Sequence, residues 1–439
     1  MMRFSFGTGV RRSGLSAACL MAAAAVTVPA YAATDVPVWV SLNGHNADVF
    51  ESLTKAYNRS QSDVQVQVRN FSTPEALSQA LDAAARDKKL PALAQLGDSH
   101  TLEEISRRSY VQPLHALQKS GPLKGIQWFV SSDNAFIHDP KGQLMAFPAM
   151  LEIPVMYYNQ DAFKKAGLAP AAPQRTWIDL QGQLVSLANN GSRKCPLTSD
   201  LPVSINLENL AAVNNQLYAS ADNGLKAKGG LPSFSFDLTY VRHLSLMISW
   251  VRAEIMTRPD VGVQSIQRFA QGECAVMMSG SGHIGAFNDQ SKLHYAVSGL
   301  PYYPEVTKVP GNPFVSGAGL WVMKSPKPVT DATAGFLGWL AQPEQAARWY
   351  QQTGYLPMTQ AAFKDTPASF YKNLGQWREL VAVYAGRSAV TGQGFRIHNY
   401  PAIRTRFQQI LTAALDGQQP AVTALNLASA EGNRLARQR

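Results

Sequence analysis

The chain has 439 residues, 46% of them apolar and 16% charged, with 32 Gly, 26 Pro, 3 Cys and a formal charge of +10. That balance excludes a disordered chain, a coiled coil, a collagen and a disulfide-built miniprotein, and at roughly 150 residues per folding unit it calls for two or three units with a sizeable core. The basic excess says less than its size suggests.

Residues 1–32 contain Arg3, Arg11 and Arg12 and no Asp, Glu or Lys, followed by an apolar stretch from Leu15 to Val28 and the triplet Ala30-Tyr31-Ala32. This order predicts a secretory signal cut near Ala32/Ala33, and so an exported protein in the periplasm. Ser13, Gly14 and Leu15 fit a twin-arginine signal poorly. A lipobox ending at Cys19 has its leucine one place too early. Without the leader the charge is +7, scattered rather than striped, which argues against a nucleic-acid partner. No later segment reaches about 18 uninterrupted apolar residues. Cys195 and Cys274 remain; one disulfide is the simplest use of both in an oxidising compartment, with two buried free thiols as the alternative.

The mature chain reads as α/β. Pro37 to Ser41 is an apolar run, Val49, Phe50, Leu53 and Tyr57 recur at helical spacing, and Val64, Val66 and Val68 alternate as a strand. A helix over Pro74 to Lys88 and a short run from Pro91 to Leu96 continue the unit and predict a mostly parallel sheet. Asp161 to Ala166 forms a short helix stopped by Gly167, and Thr176 with Asp179 caps the next one, placing Trp177 as a core anchor. Ala332 to Leu340 and Glu344 to Gln352 are consecutive helices, the second closed by Gly354. Such patterning over about 400 residues suits two lobes better than one sheet.

Gly280-Ser281-Gly282-His283-Ile284-Gly285 matches G-x-G-x-x-G after the apolar run Cys274 to Met278. A dinucleotide site would also need an acidic residue ending the next strand, and His294 to Ser298 runs into Gly299-Leu300 without one. What survives is a glycine-opened turn whose N–H groups suit an anion or a hydroxyl-rich ligand. The eight histidines, at 45, 100, 115, 138, 243, 283, 294 and 398, show no zinc spacing, and no G-x-S-x-G elbow occurs. The pattern calls for no catalysis, metal or cofactor.

Phe147-Pro148, Glu152, the run Tyr157 to Leu168 and Thr176-Trp177 resemble the first lobe-crossing region of extracellular solute-binding proteins of the maltose-binding superfamily. Gly272 to Met277 resembles the strand before their ligand turn, and Gly319 to Met323 the strand after the second crossing. Leu207-Glu208-Asn209, Thr353 to Pro357 and Gly394-Phe395-Arg396 are similar to the glycerol-3-phosphate-binding branch that serves ABC importers.

The resemblance implies a two-lobe α/β fold with three crossings, near 147–152, 297–301 and 353–358. The first lobe would combine 36–146 with 302–352 and the second 153–296 with 359–430. A monomer would close on a small molecule and present it to permease subunits. It further implies that Tyr355 is a cleft tyrosine, that Arg396 binds phosphate through its planar fork, that Asp98 accepts from glycerol hydroxyls, and that Ser279, Gly280, Ser281, Ser316 and Gly317 form turns close to the ligand.

Three positions depart from the branch: Phe71-Ser72-Thr73 replaces a tyrosine, Ser204 a tryptophan, and Leu151-Glu152 a serine pair. Glu152 falls where maltose-binding relatives accept sugar hydroxyls. An ionised Glu beside a phosphate dianion costs affinity, so the expected ligand is glycerol-3-phosphate or a glycerophosphodiester, with an uncharged sugar or polyol as the alternative. A phosphodiester-processing enzyme is the alternative of another class.

Overall fold

A computed structural model describes residues 33–97, 100–169, 172–190, 194–227, 231–260 and 262–438. Residues 1–32, where a signal is expected, and Asp98 lie outside the described residues.

The first sheet contains β1 (Thr34–Val40), β2 (Val64–Asn70), β3 (Leu93–Gly97), β4 (Val111–Gln112), β5 (Phe147–Glu152) and β10 (Ser316–Met323). Their order is β2-β1-β3-β10-β4, with β5 also paired to β10. The second sheet contains β6 (Pro154–Asn159), β7 (Cys195–Ser199), β8 (Cys274–Gly280) and β9 (Tyr295–Ser298), in the order β7-β8-β6-β9. The expected strand-helix-strand opening is present. Asn43 caps the helix Gly44–Ser60 by accepting from Asn46 N–H, and Thr73 caps Pro74–Arg86 in the same way.

The expectation of mostly parallel sheets is corrected. Among the described strands β1/β2, β1/β3 and β7/β8 pair in parallel; β10 runs antiparallel to β3, β4 and β5, and β6 antiparallel to β8 and β9. Strands that enter a sheet from the other lobe have no helix crossover to fix their direction, so the parallel rule applies only within each lobe's own strand-helix-strand units.

Strand periodicity explains how the two lobes share a core. On the second sheet Met156, Tyr158, Val276 and Met278 face one apolar cluster, closed by helices such as Leu238–Arg252 and Tyr400–Leu415. Val155, Tyr157 and Met277 face the other cluster, which continues without a break into the first sheet. Trp177 is 2% exposed and packs 4.6 Å from the His243 ring, as a core anchor should. Cys195 and Cys274 pair across β7 and β8 and form a disulfide.

The stretches beside the crossings pack in two ways. Tyr303 and Phe314 lie in the second cluster, and Phe314 N–H donates to Asn209 Oδ1 at 2.7 Å, so residues 302–314 pack with the second lobe and the chain returns to the first only at β10. Residues 359–385 place Ala362, Trp377 and Tyr384 in the shared cluster, and Gln376 N–H donates to Val297 O of β9 at 2.9 Å.

Candidate functional site

Two adjoining cavities lie between the lobes. One is an open cleft of about 650 Å³ bordered by Ser41, Gln95, Glu152, Gly317, Tyr355 and Arg404, among others. The second, of about 90 Å³, is walled largely by Leu96, Ile137, Phe314, Trp321 and Phe395, with Glu103, Glu208, Arg396 and Arg404 among its charged groups. Gly97, Pro401 and Arg404 border both.

Glu152 ends β5 beside Ser316 of β10, and its carboxylate reaches across to the second lobe, where Oε2 accepts the Gly282 N–H at 3.0 Å. The surrounding glycines leave it room. A Cβ on Gly280 would sit 2.3 Å from Glu152 Oε2, and one on Gly282 would sit 2.9 Å from Oε2 and 2.8 Å from the Tyr355 ring. Gly317 has φ +95°, and a Cβ there would meet Met150 O at 2.3 Å. The G-x-G turn is thus an anion cradle, as its glycines suggest, and the anion it holds is the chain's own carboxylate.

Tyr355 is 9% exposed and stacks on Trp349 at 5.8 Å. Burial first, and then the Glu152 charge, hold its hydroxyl well above the usual tyrosine range. Beside it the buried Asn46 donates to Gly282 O at 2.9 Å, tying the first helix to the second lobe.

Of the other serine and glycine positions expected near the ligand, Ser316 borders the smaller cavity, and its hydroxyl donates to Glu152 O at 3.4 Å. Ser279 and Ser281 are fully buried. Ser279 Oγ donates to Asp200 at 3.0 Å, and Ser281 exchanges bonds with the Ile153 backbone. Gly280 O accepts from Tyr157 hydroxyl at 2.8 Å. Ser204 borders neither cavity; it sits in a wide helical turn and accepts from Asn209 Nδ2 at 2.8 Å.

Arg396 borders the smaller cavity. Its Nη2 donates to His138 O at 2.5 Å, Glu103 lies 3.8 Å from its Nε, and that Nε is buried without a hydrogen-bond partner. Burial lowers its pKa, opposed by Glu103 and Asp139.

Sequence reasoning missed Arg404 and Gln95. Arg404 projects from the first turn of Tyr400–Leu415, with Nε 3.2 Å from Glu208, whose carboxylate also accepts from Tyr400 hydroxyl at 2.5 Å. The available signal was its place one helical turn after Tyr400 in the helix that follows Arg396. Gln95 is held by two hydrogen bonds to the Ser41 backbone.

Beneath the glycine turn, burial raises Asp200 to about 7, helped by Asp260 and opposed by the Ser279 bond, and burial lowers His283 to about 4.

Two mixed α/β lobes with a ligand-sized cleft at their crossings define a solute-binding protein. A family model described as bacterial extracellular solute-binding protein matches residues 52–375, and the chain belongs to that family. It is 32% identical over 410 residues to the sn-glycerol-3-phosphate-binding periplasmic protein UgpB of Rhizobium meliloti (strain 1021), covering 92% of this chain and 94% of the relative. The UgpB protein of Escherichia coli (strain K12) is 31% identical over 416 residues, covering 93% and 94%.

Among solved structures, UgpB from Mycobacterium tuberculosis in complex with glycerophosphocholine superposes with a TM-score of 0.72 at 16% identity, over 92% of this chain and 98% of that one. The cyclic alpha-maltosyl-1,6-maltose binding protein from Arthrobacter globiformis gives 0.68 at 20%, over 92% and 99%. These likenesses agree with the two-lobe fold.

Proposed function

We propose that the chain is the periplasmic receptor of an ABC importer, that it captures glycerol-3-phosphate or a glycerophosphodiester between its lobes, and that it hands the ligand to permease subunits. The observation that carries this reading is the pair Arg396 and Arg404 on the second lobe's wall of the two cavities, facing Ser316 and Gln95 on the first. A guanidinium binds two phosphate oxygens through its fork, and the facing hydroxyl and amide suit glycerol hydroxyls. The relatives' names support the same ligand class.

Contacts to both walls exist only when the lobes are together. A micromolar ligand brings about 8 kcal/mol, enough to bias a hinge whose states differ by a few. The shape a permease reads is then set by occupancy.

The lobe-spanning carboxylate of Glu152, an acceptor on the cleft floor, favours the second reading, an uncharged sugar or polyol. A thermal-shift panel of glycerol-3-phosphate, glycerophosphodiesters, maltose and small polyols separates the two, because a cleft ligand raises the midpoint by mass action. The first reading expects a rise with phosphorylated glycerols alone; a rise with maltose or polyols alone overturns it.

A further inference from the structure

The smaller cavity has a wall that glycerol and phosphate do not match. Leu96, Ile137 and Trp321 border it from the first lobe, and Phe314 and Phe395 from the second. Polar atoms along this wall are engaged within the protein. Trp321 Nε1 donates to Leu96 O at 3.3 Å, the Tyr400 hydroxyl donates to Glu208, and Asn209 Oδ1 accepts the Phe314 N–H at 2.7 Å. Phe395 is fixed by neighbouring rings, Tyr400 at 4.5 Å and Phe314 at 5.4 Å. Arg396 borders this cavity, and Arg404 borders both it and the open cleft.

We infer that this cavity is a subsite for the second alcohol of a phosphodiester and that it takes a short apolar substituent, a step that rests on the phosphorylated ligand proposed above. A phosphate held by the two arginines stands where the cleft meets the cavity, so a group esterified to it reaches the apolar wall, and a phosphomonoester leaves that wall unfilled. Apolar atoms entering the cavity exchange water for close packing, and each buried methylene raises affinity about four-fold. A hydroxyl entering the same space loses its water without gaining a partner, because the wall's polar atoms named above bond one another. The volume bounds the substituent: the cavity measures about 90 Å³, and at about 30 Å³ for each water-sized group it admits about three carbons. Because the wall is drawn from both lobes, filling it also favours the closed form.

The test is calorimetric titration of the full mature chain with glycerol-3-phosphate and with its diesters of methanol, n-propanol, n-hexanol and glycerol. All four diesters carry the same charge, so only the substituent varies. The propyl diester should bind about ten-fold or more tighter than the methyl diester, with no further gain for hexyl. The glycerol diester, equal to propyl in carbon number, should bind about ten-fold or more weakly than propyl. Ala135 is buried on the cavity border, and Ala135→Leu, which adds three carbons there, should bring the propyl-to-methyl ratio close to one. Equal affinity for methyl and propyl, a glycerol diester as tight as propyl, or a ratio unchanged by Ala135→Leu overturns the assignment while leaving the phosphorylated-ligand reading intact. Binding of none of the five probes overturns both. If the variant does not fold, the wild-type series decides by itself, because it needs no substitution.

Discussion

Gly280→Ala probes the notch that holds Glu152. Gly280 has φ −63° and ψ 149°, where alanine is comfortable, so the backbone raises no objection. The objection is steric: the new Cβ would stand 2.3 Å from Glu152 Oε2 and 2.7 Å from Cδ. The carboxylate must leave, and with it goes its bond from Gly282 N–H. A hydrogen bond to a charged group is worth about 1.5–3 kcal/mol, and the displaced carboxylate also loses its cradle, so the variant should be less stable by about 2–3 kcal/mol. In a Glu152→Ser background nothing reaches the notch. There the same substitution should be neutral or stabilising by up to about 1 kcal/mol, through the lower entropy of the unfolded chain. Urea titrations of the four proteins, followed by tryptophan fluorescence, give the coupling free energy, expected at about 2 kcal/mol or more. An equal cost in both backgrounds would refute the idea that these glycines exist to admit the carboxylate.

Asp200→Asn should have little effect near pH 4 and become progressively stabilising up to about pH 7. Asp200 titrates higher in the folded chain than its ordinary 3.8, so the wild type loses stability from this group across that window; His283, lowered to about 4, opposes it only up to about pH 6.5. The full gap, about 4 kcal/mol, is an upper limit, and denaturant midpoints at pH 4, 5.5 and 7.5 read its sign. Replacing both Cys195 and Cys274 by alanine opens a link across 79 residues and should cost at most about 4–5 kcal/mol by loop entropy, seen as a lower urea midpoint. Arg396→Ala should weaken binding of a phosphorylated glycerol about 10- to 100-fold by calorimetry. Arg404→Ala combined with Glu208→Gln, which leaves no unpaired buried carboxylate, should do the same.

Much of the fold was legible because it is written locally. Thr176 and Gly354 mark helix ends by capping chemistry that needs no tertiary partner, and the alternation over Val64 to Val68 marks β2. Strand direction was not legible. The apolar run of β10 looks the same whichever way it enters the sheet. For the site, the sequence pointed to Glu152, Gly280 and Tyr355 as separate motifs, and folding brings them into contact. Ser204, Ser279 and Ser281 sit where neighbouring motifs placed them, yet their hydroxyls engage Asn209, Asp200 and the Ile153 backbone, partners distant in sequence or set by burial. Arg404 stayed hidden because an arginine in an amphipathic helix has the same sequence signature whether it faces water or a cleft.

The central claim, a phosphorylated glycerol held between the lobes by Arg396 and Arg404, is tested most directly by calorimetric titration of the mature chain with glycerophosphocholine, beside the variant carrying Arg396→Ala, Arg404→Ala and Glu208→Gln. The account predicts saturable one-to-one binding to the wild type, weakened by added salt and abolished in the variant. Undiminished binding to the variant, or binding of maltose in place of the phosphodiester, would contradict it.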